Sequence, residues 1–272
     1  MALPRQVSLF LVATQFLTRL PVPVMPDYQP IWLTRSALYF PLVGALVGAI
    51  NVGVWWLCGR WFPPAIAMGL MLGASLLVTG AFHEDGFTDT CDGFGGGTTP
   101  DRVLSIMKDS RLGAYGAIGI VMLLGLKWAT LVAIPASFFP LLVVAAHMMS
   151  RWCSIGLIWR LNYVRSDGDG KSRFLADSLS GFDWFLSGVL GAAALLPVAL
   201  TNDLVPDSMT IRCFAAATLA SLITAGAAAA YFKQRIGGYT GDCLGAVQQL
   251  SELSFLLAAV AVMTSLRRFL PS

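Results

Sequence analysis

The chain has 272 residues, of which 56% are hydrophobic and only 12% charged, against about 25% charged in a soluble globular domain. This composition argues against a water-soluble enzyme and predicts an all-α, polytopic bundle of membrane helices forming a single domain over 1–272. The net charge of +3 gives no reason to expect a nucleic-acid partner, and five scattered cysteines with no CxxC pair give no disulfide framework.

The first element is the apolar run between Arg5 and Arg19. It is too short to span and lacks a small-residue cleavage site. It reads as an interfacial helix, ended by Pro21, Pro23 and Pro26. A span needs about 20 mostly apolar residues. Seven stretches qualify: 36–59, 61–82, 112–134, 138–159, 182–201, 211–231 and 244–266. The glycines scattered through them are common in membrane helices.

Between the second and third spans comes AFHEDGFTDTCDGFGGG, residues 81–97, the densest run of acid in the chain. Asp85, Asp89 and Asp92 are spaced i, i+4, i+7. At about 100° per residue they share an arc of roughly 60° on a helix. Three carboxylates on one face repel unless a cation lies among them. Oxygen ligands of this kind suit Mg²⁺, which binds through few carboxylates plus substrate phosphates. Glu84 points about 100° away and ranks lower, with His83 further round. A zinc site from His83 and Cys91 matches no common zinc spacing.

TTPDRVLSIMKDSRLGAYG follows. Thr99 is placed to cap a helix that opens with Pro100 and is expected to run to near Gly113. Arg102, Ser105, Lys108 and Arg111 recur every third residue as a basic stripe, fit for phosphate or for anionic lipid. Asp109 is a further carboxylate that can join the metal. The next two spans contain Lys127, His147 and Arg151. A buried arginine there needs an anionic partner. GDGKS at 168–172 lacks the upstream glycines and strand of a phosphate loop and reads as a flexible loop.

Last comes GGYTGDCLGAVQQLSE, 237–252. Its glycine pairs mark a turn, and a helix is expected to start near Asp242. Asp242, Gly245, Gln249 and Glu252 then share one face that runs into the membrane, where an ionisable group usually lines a cavity. Asp242 is expected to bind metal or position substrate. Basic residues in the N-terminal region and loops 83–111, 160–181 and 232–243 number twelve, against four (Arg60, Arg212, Arg267, Arg268) in the other set. This places the acidic and 237–252 segments together in the cytoplasm of a cell with an inner membrane.

FLTRLPVP at 16–23, FPLVG at 40–44, FHEDGFTDTCDGFGGG at 82–97, MKDSRLGAYG at 107–116 and GGYTGDCLGA at 237–246 resemble, in order, the cobalamin synthase (adenosylcobinamide-GDP ribazoletransferase) family. The resemblance implies a Mg²⁺-dependent enzyme of the lipid bilayer acting late in cobalamin assembly. A hydroxyl of α-ribazole, or of its 5′-phosphate, would displace GMP from adenosylcobinamide-GDP. It implies Asp85, Asp89 and Asp92 as metal ligands and, with Asp109, as catalytic residues. Glu84 stands at a position that varies in the family. His83, Lys108, Arg111, Asp242, Gln249 and Glu252 are the candidates for binding substrate. Self-association into a homo-oligomer is left open. Two alternatives remain: a CDP-alcohol phosphotransferase-like lipid enzyme, whose Ala-Arg is missing after the first Asp-Gly here, and a divalent-ion transporter, whose acids would lie near the bilayer midplane.

Overall fold

The computed structural model describes residues 4–25, 28–165, 179–201 and 208–269. Pro26, the GDGKS segment with Lys171 and Arg173, and the side chains of Arg267 and Arg268 lie outside the described residues. The helices, in order, are α1 (Arg5–Leu17), α2 (Pro30–Ser36), α3 (Phe40–Cys58), α4 (Pro64–Thr79), α5 (Phe82–Gly96) and α6 (Pro100–Ile106). They continue with α7 (Ala114–Ala133), α8 (Phe139–Arg160), α9 (Gly181–Ala193), α10 (Leu195–Thr201), α11 (Ser208–Ile236) and α12 (Gly241–Phe269). A 3₁₀ turn, Ala37–Tyr39, joins α2 to α3. The protein is an all-α membrane bundle.

Six of these segments are long and apolar enough to cross a bilayer. The stretch 61–82 differs from the single straight span its hydropathy predicts. Gly80 (φ 64°) and Ala81 (φ 53°) are both left-handed, and α5 leaves the axis of α4 at 90°. Arg19 holds the corner: its backbone N–H donates to the Val78 carbonyl at 2.7 Å, and a Cβ on Gly80 would come 2.5 Å from its Nε. Only taken with α5 does α4 make a seventh span. The acidic helix therefore runs across the bundle instead of prolonging a span.

α8 is the hub, buried almost throughout, whereas α7, α9 and α11 lie at the periphery. Ile118, Val121 and Met122 of α7 and Leu219 and Ile223 of α11 are exposed, as lipid-facing side chains should be. α3 packs antiparallel to α8, with Gly44 against His147 and Arg151, and Gly48 against Val144. α11 and α12 are antiparallel through Ser221 and Ser251, and α9 lies against α8 with Trp184 stacked on Trp152. The start of α12 and the ends of α8 and α11 thus meet at one end of the bundle. At the other, Trp56 and Trp61 are exposed, Arg60 stacks over Trp56, and the Trp128 indole donates to the Ala65 carbonyl. Amphipathic rings of this kind mark a membrane–water boundary.

α5 reaches its place because two glycines let it cross α12 closely. A Cβ on Gly86 would lie 3.0 Å from Asp242 Cα, and one on Gly245 would lie 2.9 Å from the His83 carbonyl. Gly86→Ala is expected to cost about 1–3 kcal/mol by overpacking. Gly53→Ala, at a site with nothing within 4 Å, is expected to cost nothing. Thermal melts of the two detergent-solubilised variants check this.

Candidate active site

α5 forms as its spacing predicts, Phe82–Gly96, but its three aspartates meet different surroundings. Asp92 is buried, and its two oxygens accept the backbone N–H groups of Gly113 (2.7 Å) and Gly116 (2.8 Å). It caps the positive end of α7. Asp89 is half-buried. Burial raises its carboxyl, the neighbouring Asp242 and Asp85 charges add to this, and Arg165 opposes it, leaving it at about 7. Asp85 is exposed on the rim of a cavity.

The 237–252 segment arrives from the opposite side. Val164 N–H donates to the Tyr239 carbonyl and Tyr239 N–H to the Asn162 carbonyl, both at 3.0 Å. This bridge, with Gly237 left-handed at φ 80°, brings Arg165 to Asp242. The guanidinium Nη2 donates to Asp242 Oδ2 at 2.6 Å and to the Met107 carbonyl at 3.3 Å. α12 starts at Gly241, as the sequence predicts. Asp85, Asp242, His83 and Arg151 line one cavity of about 100 Å³, whose apolar wall includes Phe16, Phe40 and Phe82. Two acidic segments far apart in sequence therefore share a site. Burial, with Arg151 adding, holds the His83 imidazole well below its usual range, so it is neutral.

Below the cavity is a polar network inside the bundle. Glu252 pairs with Lys127 Nζ at 2.9 Å and with His147 Nδ1 at 3.2 Å. Gln248 donates to Glu252 (2.6 Å) and to Ser150 Oγ (3.0 Å). Lys127 donates to Gln249 (2.6 Å), and Gln249 donates to Glu84 Oε1 (2.7 Å). Asn51 Nδ2 meets His147 Nε2 at 2.8 Å. Gln249 and Glu252, read from sequence as facing substrate, are here 2% and 3% exposed and satisfied by protein partners. Glu84 is tied to this network through Gln249.

The basic stripe is corrected. α6 is capped by Thr99 as expected, with Arg102 N–H donating to Thr99 Oγ1 at 3.3 Å, but it ends at Ile106 and not near Gly113. The chain has to turn so that Asp92 can cap α7, and Lys108 and Arg111 fall in that turn. Asp109 and Arg111 pair with each other at 2.5 Å on the surface, and that contact lowers the Asp109 carboxyl to about 2. Neither lines the cavity. Arg165 and Lys127 were not singled out as site residues by the sequence, because no spacing rule links them to the acids.

Among the described residues no three His, Cys, Asp or Glu side chains converge enough to hold a metal ion by themselves. That arrangement still fits Mg²⁺, which seldom uses an all-protein cage and takes one or two carboxylates together with substrate oxygens. The charge crowding felt by Asp89 from Asp85 and Asp242 is what a divalent cation would relieve.

The family pattern of cobalamin-5-phosphate synthase matches residues 9–260. The chain is 41% identical to the adenosylcobinamide-GDP ribazoletransferase of Leptothrix cholodnii, over 96% of this chain and 97% of that protein. It is 41% identical to the one of Ralstonia pickettii, over 93% and 95%, and 38% identical to the one of Shewanella oneidensis, over 92% of each. No solved structure matches the chain. On a full-length likeness that takes in both motifs of the cavity, the chain belongs to the cobalamin-5-phosphate synthase family.

Proposed function

We propose that this membrane enzyme joins adenosylcobinamide-GDP to α-ribazole, or to its 5′-phosphate, in a Mg²⁺-dependent transfer that releases GMP. A ribazole hydroxyl oxygen forms a bond to the phosphorus nearer the cobinamide. The phosphoanhydride bond breaks, GMP leaves with the bridging oxygen, and the hydroxyl proton is lost to solvent or a nearby base. The observation that carries this reading is the single cavity in which Asp85 and Asp242 face an arginine. Asp85 and Asp242, which share the cavity, would hold Mg²⁺, which when bound neutralises charge on the phosphoryl oxygens, and Asp89 adds negative charge beside them. Asp92 sets the angle of α7 beside them, and Arg165 fixes Asp242. The cavity is too small for the whole corrin substrate and suits its diphosphate end. The cavity end of the bundle carries Arg19, Arg102, Lys108, Arg160, Arg165 and Lys233, which supports a cytoplasmic orientation.

The test is GMP release by the purified protein in lipid, given adenosylcobinamide-GDP, α-ribazole and Mg²⁺. Release that needs all three is expected, and its absence would sink the reading. Turnover of a CDP-alcohol with CMP release would favour the lipid-enzyme alternative instead.

The pH dependence follows from Asp89. Its carboxyl is protonated below about 7, which removes a negative charge beside Asp85 and Asp242 and weakens their hold on a cation. Apparent Mg²⁺ affinity is expected to be level above about 7, to fall as pH drops through it and to level off again once Asp89 is neutral. A Mg²⁺ titration of GMP release across that range checks the sign.

A further inference from the structure

Arg151 is a buried cation to which, among the described residues, no carboxylate bonds directly; the Glu252 and Glu84 charges act on it from beyond ion-pair distance. It lies on α8, about two and a half turns in from Arg160, and is 2% exposed. Its Nη1 donates to the His147 carbonyl at 3.0 Å and lies 3.3 Å from His147 Nδ1. Its Nε is buried and has no partner. Among the described residues no carboxylate is within ion-pair distance of it. Glu252 is engaged by Lys127 and His147, Asp242 by Arg165, and Glu84 accepts from Gln249 through Oε1. A guanidinium cannot shed its proton, so burying it without an anion is costly. Its course is set by Gly44 of α3, where a Cβ would come 2.8 Å from Arg151 Cδ. The side chain lines the cavity that Asp85 and Asp242 also line.

We propose that Arg151 binds the diphosphate of the nucleotide substrate from the inner wall of this cavity, so that the substrate supplies the directly bonded anion that the described side chains do not. The inference deepens the transferase reading above and rests on it. A planar guanidinium fork matches phosphate oxygens in pairs, which an ammonium does not. Behind the apolar wall of Phe16, Phe40 and Phe82, the attraction is stronger than in water. The carboxylates Asp85 and Asp242 would attract a metal on the diphosphate, while Arg151 takes phosphoryl oxygens directly.

The test uses Arg151→Met and Arg151→Lys in the full-length detergent-solubilised protein, with binding of adenosylcobinamide-GDP and of adenosylcobinamide lacking the diphosphate measured side by side. The expected result is that R151M weakens adenosylcobinamide-GDP binding about 10- to 100-fold, the loss of charge-assisted hydrogen bonds, with R151K in between. Binding of adenosylcobinamide and of α-ribazole stays at the wild-type level. The melting midpoint of ligand-free R151M is expected to stay within a few degrees of the wild type, because no ion pair is broken and Glu252 keeps Lys127 and His147. R151M binding adenosylcobinamide-GDP as tightly as wild type would overturn the proposal. So would a large fall in melting midpoint accompanied by loss of α-ribazole binding, which marks a structural arginine. If wild type prefers the diphosphate ligand through Arg151 but releases no GMP, the phosphate clamp stands and the transferase reading falls.

Discussion

Asp85→Asn is expected to slow GMP release by about two to three orders of magnitude while the protein folds and purifies normally. Asparagine keeps the size of the side chain and its place on the rim of the cavity but removes the charge. The carboxylate is exposed, so little packing depends on it. What it contributes is attraction for a cation on the diphosphate, worth several kcal/mol in a metal-assisted displacement, at about 1.4 kcal/mol per factor of ten in rate. Asp92→Asn makes the contrast. Asp92 holds two N–H groups at the start of α7, so its replacement is expected to cost about 0.5–2 kcal/mol of stability and to affect turnover less. GMP assays at saturating Mg²⁺, paired with melts, separate the two. A near-normal rate for Asp85→Asn would remove Asp85 from the reaction.

Glu252→Gln is expected to destabilise the protein by about 3–5 kcal/mol, because it strands Lys127 as a lone cation inside the bundle. Both partners are buried, at 3% exposure each. A charge at that depth has no water to turn to. Lys127→Met alone is expected to cost less, since His147 at 3.2 Å can still partner the carboxylate. Combining Lys127→Met with Glu252→Gln is expected to recover most of the loss, with the introduced amide oxygen still accepting from Gln248. Thermal melts in one detergent provide the comparison. A double variant as unstable as Glu252→Gln alone would show that the network matters for its hydrogen bonds and not its charge pair.

Much of this protein follows from short-range pattern. Apolar runs long enough for a bilayer are helices because a helix satisfies its backbone groups within the one segment, with no partner strand needed in lipid. The acid spacing gives α5, Thr99 and Pro100 start α6, and the Thr-Gly-Asp turn starts α12, since caps and periodicity depend only on neighbours in sequence. The likeness of the two polar motifs to a family of known chemistry also lies in the sequence. The tertiary structure decided what each acid does. Asp85 and Asp92 share one face and one residue type. Yet one rims a cavity and the other caps a helix, because α7 happens to begin beside Asp92. The 90° turn at Gly80–Ala81 depends on Arg19 packing at the corner, and the end of α6 at Ile106 depends on where α7 must start. Arg165 finds Asp242 through the short backbone bridge between Tyr163 and Tyr239, and Glu252 finds Lys127 across the bundle. Such pairings are set by which helices pack together, and burial then fixes whether a charge serves the site, the fold or, at Arg151, a ligand.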